Sequence, residues 1–292
     1  MIKNETIFSV ILPVYNAEHT LGQTLRCLSE QTTTNFEVCA VNDGSTDQSQ
    51  QKLEQFQLES NVTVKLEEQE NAGVAAARNR AVEMAKSPWL VFLDADDYWM
   101  PNKLQVLQES IQNKPQVSFW AHGMNRHSFN GNKIQEPPQT LTWKDLLIEG
   151  NSLIASSVAV NKGAFLNVHG MDEKLNFSSA EDWDCWIRLL QKGAHYGVIN
   201  HVLGHYIDQP EGLSKDLVKH RSACFNVLDK FKANGSLSAE EWQKAARQKS
   251  YELARQAHKM KAFEKALSWY QDSDQSVKRK VLELLARIGL AI

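Results

Sequence analysis

Over the first hundred residues, short apolar runs alternate with stretches whose apolar side chains recur every three or four positions. Ile7-Phe8-Ser9-Val10-Ile11-Leu12, Phe36-Glu37-Val38-Cys39-Ala40-Val41, Val62-Thr63-Val64-Lys65-Leu66 and Trp89-Leu90-Val91-Phe92-Leu93 predict four strands. Between them, Leu21, Leu25 and Leu28, then Leu53 and Phe56, then the alanine-rich stretch 73–86, predict helices. Ser45, Thr46 and Asp47 offer capping oxygens to the second of these, and Pro101 suits the first turn of a fourth that carries Leu104 and Leu107. Repeated β-α units with continuous apolar strands imply a parallel sheet covered on both faces, with ligands taken at the carboxyl ends of its strands. The segments at those ends are Pro13-Val14-Tyr15-Asn16, Asn42-Asp43-Gly44-Ser45 and Asp94-Ala95-Asp96-Asp97.

From about 115 to 214 the pattern is mixed. Residues 117–120 and 154–160 read as strands, 125–138 as a loop or hairpin, 179–191 as a helix ending near Gly193, and 194–207 as two short strands. After Ser214 strand signals stop. Ser238-Ala239-Glu240-Glu241 has capping-box spacing and opens a helix that reaches Lys259, with further helices over 263–270 and 276–291. The expected organisation is an α/β domain over 1–214 and an all-helical extension over 215–292.

Composition adds bounds. A chain of 292 residues, 42% hydrophobic and 23% charged, is neither disordered nor a disulfide-stapled miniature. Its net charge of -3 hides a split: residues 215–292 hold 16 basic against 9 acidic residues, a net +7, which leaves -10 for 1–214. The opening MIKNETIFSV lacks the apolar core of a signal peptide, and no apolar run reaches the ~18 residues of a membrane span, so a cytoplasmic placement is expected. Cys27, Cys39, Cys185 and Cys224 form no CxxC pair and no zinc spacing, and read as reduced, buried thiols.

The chemistry centres on carboxylates at strand ends. Asp43 follows the second strand, and Asp94, Asp96 and Asp97 follow the fourth. Such a cluster repels itself unless a cation or hydrogen-bond donors offset it. Oxygen-only ligands favour Mg²⁺ or Mn²⁺, which typically use one or two carboxylates plus substrate phosphates, and so imply a nucleotide diphosphate ligand. Read alone, Asp94-Ala95-Asp96-Asp97 equally caps a following helix. Asn71-Ala72-Gly73-Val74-Ala75-Ala76-Ala77-Arg78-Asn79 joins a loop to a helix start, with Arg78 either facing a phosphate or lying on the surface. Glu181, Asp182 and Asp184 sit at a helix start, where carboxylates also serve as simple caps.

Five segments in order, VILPVYNAE at 10–18, VNDGSTD at 41–47, NAGVAAARN at 71–79, FLDADDYW at 92–99 and SAEDWDCWIRL at 179–189, resemble the family 2 inverting glycosyltransferases, over roughly residues 6–214. The resemblance implies a GT-A fold, a Rossmann-like mixed sheet with flanking helices. It implies a nucleotide-sugar donor, most simply a UDP-sugar, and a saccharide or lipid-linked saccharide acceptor in cell-surface polysaccharide biosynthesis. It would set Pro13, Tyr15 and Asn16 at the nucleotide, Asp43 on the base or ribose, and Arg78 on the donor. Asp94 and Asp96 match the DxD motif: Asp96 ligates Mn²⁺ or Mg²⁺, with Asp94 on the ribose and metal side and Asp97 supporting. Asp182, beside Glu181, matches the catalytic base. The chain departs from the family after the last predicted strand, where the usual Tyr-Arg-x-His is replaced by Gly204-His205-Tyr206-Ile207-Asp208 and the residues on to Ser214. Either His205 or Asp208, or water, then completes the metal shell.

Two other functions were weighed. Nucleotidyl transfer to a sugar phosphate calls for a Gly-rich, basic loop after the first strand, where this chain has Pro13-Val14-Tyr15-Asn16-Ala17-Glu18. A non-catalytic nucleotide-sugar binding module does not need Asp94, Asp96 and Asp182 intact. Nucleic acid is not an expected partner, because the only basic excess is the tail, which carries no reader motif. In that tail Val277, Val281, Leu284, Leu285, Ile288 and Ile292 share a narrow arc opposite Arg279. Such a helix packs on neighbouring helices or a second subunit, or lies on an anionic membrane surface, which would be the inner face of the cell membrane.

Overall fold

The computed structural model describes residues 6–128, 131–173, 179–209, 212, 215–273 and 276–291. Pro210, Glu211, Leu213, Ser214 and Ile292, touched on above, lie outside these residues, as does the side chain of Val277. The elements in chain order are β1 (Phe8–Val14), α1 (Leu21–Ser29), β2 (Phe36–Asn42), α2 (Ser49–Glu59), β3 (Thr63–Glu68), α3 (Val74–Met84), β4 (Trp89–Phe92), β5 (Tyr98–Trp99) and α4 (Lys103–Asn113). There follow β6 (Phe119–Ser128), β7 (Gly131–Gln135), α5 (Trp143–Glu149), β8 (Val158–Asn161), α6 (Lys162–Asn167), α7 (Glu181–Gln191) and β9 (Tyr196–Ile207). The last helices are α8 (Leu217–Ala233), α9 (Ala239–Lys259), α10 (Phe263–Gln271) and α11 (Val277–Arg287).

The chain forms two compact units. The first comprises Met1–Leu141, Leu153–Glu173 and Arg188–Pro210; the second comprises Thr142–Ser152, Lys174–Ile187 and Glu211–Ile292. Two stretches well before 214 therefore fold with the C-terminal helices, a rearrangement that boundaries drawn along the chain do not reveal.

The first unit holds the sheet, ordered β3-β2-β1-β4-β8-β6-β9-β5, with β7 hairpinned onto β6. Strands β3, β2, β1 and β4 run parallel, β8 opposes both β4 and β6, and β9 runs parallel to β6. This is the mixed, helix-flanked sheet expected. Strands β1, β2 and β4 are buried at every position, which is what continuous apolar runs dictate, whereas β3 at the edge is half exposed. Around Phe8, Val10, Leu12, Val38, Val91, Leu93, Trp99, Leu104 and Trp120 one apolar core fills this unit.

Several local expectations change. The segment 154–160 is a 3₁₀ turn at Ala155–Ser157 leading into β8, not one strand. The two strands expected over 194–207 are one, β9, because its register against β6 shifts twice around Gly123 and bulges out the exposed Asn200 and His201. Pro101 precedes α4 instead of opening it.

The second unit is helical. Ser238 and Glu241 close a capping box on α9, as the spacing predicts, and Thr142 and Asp145 close another on α5. Helix α8, which the sequence pass left undrawn, is opened by Asp216, whose side chain accepts from the Lys219 amide. It buries Leu217, Cys224, Val227, Leu228 and Phe231. Part of the apolar stripe of α11 faces outward: Val281, Leu284 and Ile288 are exposed, while Leu285 is half-buried. All four cysteines are free and buried, as read, and burial pushes the Cys27 and Cys39 thiols up to about 12.

One core position breaks the polar rule. Lys103, on the first turn of α4, is 1% exposed, and its Nζ has no hydrogen-bond partner and sits 3.4 Å from the Trp99 ring centre. Burial holds the amine well below its usual value. The folded state thus holds the Lys103 proton less tightly than the unfolded chain does, so stability rises with pH toward the ordinary lysine range. Lys103→Met is expected to raise unfolding free energy at pH 7 by about 1–3 kcal/mol and to flatten that pH dependence. Denaturant melts from pH 7 to 10 measure both; an unchanged slope contradicts the depressed amine.

Candidate active site

At the carboxyl ends of β1 and β2 the loops 13–18 and 42–49 are tied by reciprocal hydrogen bonds. The Asn16 amide donates to Ser45 Oγ at 3.0 Å, and Asn16 Oδ1 accepts from the Thr46 amide at 2.8 Å. The Ala17 amide donates to Ser49 Oγ (2.9 Å) and the Glu18 amide to Asp47 Oδ2 (2.9 Å), while Glu18 Oε2 accepts from the Gln48 amide (3.0 Å). Ser45 thus braces the two loops, and Asp47 does both jobs, since its Oδ1 also accepts from the Ser49 amide at the start of α2 (2.9 Å), as the capping expectation had it. Asn16 holds a left-handed backbone, φ 45°, which asparagine tolerates better than most residues. Pro13 closes the buried strand β1, and Tyr15 stands out from the loop, 52% exposed.

Asp43 is buried and engaged. Its Oδ1 accepts from Gln69 Nε2 (2.7 Å) and the Ala72 amide (2.8 Å), and its Oδ2 from the Gly73 amide (2.9 Å). It therefore shapes the 69–73 loop that leads into α3. The following Gly44 has φ +72°, and a Cβ there would lie 2.9 Å from the Asn71 amide nitrogen, so the close approach of these loops requires glycine.

The aspartates after β4 do not cap a helix; a tight turn and the short strand β5 follow them. The turn is braced from four sides. The Asp94 amide donates to the buried Ser156 hydroxyl (3.0 Å) and the Asp97 amide to the Asp94 carbonyl (3.1 Å). Thr20 Oγ1 donates to the Ala95 carbonyl (2.9 Å), and Thr24 Oγ1 to the carbonyls of Ala95 (3.0 Å) and Asp97 (2.8 Å). Asp97 Oδ1 accepts from the Ile207 amide (3.1 Å). Thr20, Thr24 and Ser156 escaped the sequence reading; the only signal was an i, i+4 threonine pair on a helix with an apolar face.

The three carboxylates differ in environment. Asp94 is partly exposed and bridged by Arg78 Nη2 at 2.6 Å. Arg78 itself is buried, so it is a positioning residue for Asp94, not a surface arginine. Asp96 is pushed up to about 7 by burial and then by the Asp94 charge. Asp97 is fully buried, its Oδ2 without a hydrogen-bond partner, and burial and both neighbours push it well above the usual carboxylate range. Two half-accessible carboxylates with unrelieved repulsion suit a divalent cation whose remaining ligands are phosphates.

Among the described residues no three His, Cys, Asp or Glu side chains are arranged as a metal cage. The two suggested completing ligands are engaged with β6. His205 Nδ1 lies 2.7 Å from His127 Nε2 with its ring stacked on Tyr98, and Asp208 pairs with Arg126 at 3.1 Å. Neither joins Asp94 and Asp96 in a three-ligand cluster.

In the second unit the acids at the start of α7 separate by environment. Glu181 and Asp184 are buried; Glu181 accepts from the Ser179 amide (3.0 Å), and Asp184 pairs with Lys230 at 2.7 Å. Asp182 is the half-exposed one, and its Oδ2 accepts from Asn151 Nδ2 at 3.1 Å. Trp183 is 1% exposed and gives its indole N–H to the Leu146 carbonyl (2.8 Å), and Trp186 is fully buried, so both pack inward.

Residues 9–166 match the family described as Glycosyl transferase family 2. The chain is 30% identical over 237 residues to the Escherichia coli UDP-Glc:alpha-D-GlcNAc-diphosphoundecaprenol beta-1,3-glucosyltransferase WfgD, covering 79% of this chain and 88% of that one. Among solved structures it resembles residues 1–349 of S. aureus TarS in complex with UDP-GlcNAc, with a TM-score of 0.66 and 19% identity over 97% of this chain and 88% of that one. It also resembles the mannosyltransferase PcManGT from Pyrobaculum calidifontis in complex with GDP-Man and Mn²⁺, with a TM-score of 0.64 and 17% identity over 97% and 80% of the two chains.

The loop geometry predicts the outcome of Asp43→Ala. Losing the acceptor of two amides and the Gln69 side chain is expected to lower stability by about 1–3 kcal/mol. Urea denaturation measures it, and an unaltered midpoint contradicts the bracing role.

Proposed function

The chain belongs to glycosyl transferase family 2 and has that family's GT-A fold, and on that premise we propose an inverting transfer of a sugar from a UDP-sugar to a lipid-linked saccharide. The observation that carries the reading is the pair Asp94 and Asp96 at the end of β4, with Asp96 pushed up to about 7 by burial and then by the Asp94 charge. The names of WfgD, which uses UDP-Glc and a diphosphoundecaprenol-linked acceptor, and of the UDP-GlcNAc complex of TarS support the donor and acceptor classes. Polysaccharide assembly follows as the setting.

In this reading the nucleotide lies over the braced loops, bordered by Pro13, Tyr15 and Asn16, with Asp43 holding the 69–73 loop in shape. Asp94, kept in place by Arg78, and Asp96 hold Mn²⁺ or Mg²⁺, which supplies charge stabilisation for the departing diphosphate. The PcManGT complex with Mn²⁺ supports that assignment. Asp182 takes the proton of the acceptor hydroxyl as its oxygen attacks the anomeric carbon, the bond to the nucleotide diphosphate breaks, and the anomeric configuration inverts. Asn151, bonded to Oδ2, orients the base. Buried Glu181 and Asp184 secure the start of the helix.

Asp182→Asn is expected to lower kcat by about 10²–10⁴-fold while donor affinity stays within a factor of two or so. Radiolabelled transfer and titration calorimetry separate the two, and retained turnover removes Asp182 as base. The nucleoside diphosphate, and not pyrophosphate, is the expected released product. Asp96 must lose its proton to accept a cation. Mn²⁺-dependent stabilisation by UDP in thermal shift is therefore expected to strengthen as pH rises through about 7 and to vanish in Asp96→Asn. Equal stabilisation at pH 6 and 8 counts against Asp96 as a ligand.

A further inference from the structure

Helix α11 is turned outward. Its buried side carries Arg279, 5% exposed, and Ala286, 2% exposed, with Arg279 bonded to Glu283 at 3.1 Å. Its open side carries Val281, Leu284 and Ile288, which are 52%, 59% and 60% exposed. At 100° per residue these three fall within an arc of about 60°. Lys280 and Arg287, both exposed, border one edge of that arc. The end of the segment is fixed in this orientation: His258 Nε2 donates to the Leu290 carbonyl at 2.7 Å, while Leu290 itself is 52% exposed. A helix anchored by its polar side, with an apolar stripe outward and cations along the rim, has the layout of one that lies in a lipid interface.

We propose that this face of α11 docks on an anionic lipid surface, with Val281, Leu284 and Ile288 at the boundary of headgroups and acyl chains and Lys280 and Arg287 on lipid phosphates. The net +7 of residues 215–292 complements an anionic surface and opposes the close approach of a second, identically charged segment. The arrangement is independent of the donor chemistry, since no residue of the candidate active site takes part.

Sedimentation of the full chain with vesicles tests it, without donor or acceptor present. The chain is expected to sediment with phosphatidylcholine–phosphatidylserine vesicles, less with phosphatidylcholine alone, and less again in high salt. Val281→Ser/Leu284→Ser/Ile288→Ser is expected to weaken binding at least about tenfold. Lys280→Glu/Arg287→Glu is expected to weaken binding to the anionic vesicles by about fivefold per charge removed. The triple serine variant changes only exposed side chains, so its thermal melt should match the parent, which keeps a binding loss separate from unfolding; the charge variant also breaks the Arg287–Glu283 pair (2.9 Å), so its binding is read well below its own melting temperature. Failure of the parent chain to bind anionic vesicles, or parent-like binding by the triple serine variant, overturns the proposal. So does light scattering that finds a dimer which the triple variant converts to monomer, since that assigns the face to a second copy.

Discussion

Like charge held in a dry place is the constraint on which the first unit is built. A parallel sheet brings its strand ends together, and here those ends carry Asp43, Asp94, Asp96 and Asp97. The fold answers each differently. Asp43 is met by two backbone amides and Gln69, Asp94 by Arg78, and Asp97 by an amide from β9 and enclosure. Asp96 is left as the group whose charge nothing in the protein offsets fully, and the proposed cation site rests on that imbalance. The surrounding bonds from Thr20 and Thr24 hold backbone atoms, not carboxylates, so the turn keeps its shape while its charge stays available.

The second unit solves the same problem at the start of α7. Three acids crowd one helical turn, where the helix dipole favours them. Lys230 from α8 takes Asp184, and the Ser179 amide takes Glu181. What remains half exposed is Asp182, oriented by Asn151 from the stretch following α5. The participation of α5 and α8 explains why residues far apart in sequence fold with this segment: they supply the counter-charges and the bonds that leave one acid exposed out of three.

Much of this was legible beforehand. Strands β1, β2 and β4 read clearly because strands buried on both faces must be apolar throughout. The acidic strand ends read only together with the other four matching segments, since alone they serve as well for helix caps. The misreadings have physical causes. Strand β9 looked like two because Asn200 and His201 are polar residues extruded by a bulge, and a bulge leaves no periodic trace. Helix α8 was missed because Lys219, His220 and Arg221 mask its first turn, although Asp216 at its cap and the 224, 227, 228, 231 spacing were there to find. Arg78 stayed open between a phosphate and the surface because its partner, Asp94, is sixteen residues on. The α11 stripe stayed open between neighbouring helices, a second subunit and a membrane because periodicity marks an apolar face without saying what covers it, and only packing shows that Arg279 took the inward side.

Gly44 bears on how such an enzyme can be diversified. With a left-handed backbone and the Asn71 amide nitrogen 2.9 Å from where a Cβ would stand, the position admits no side chain without moving the 69–73 loop that Asp43 holds. Directed evolution therefore has little to gain from this hinge between loops. Tyr15, which projects from the braced scaffold, can change size and polarity without disturbing the hydrogen bonds beneath it.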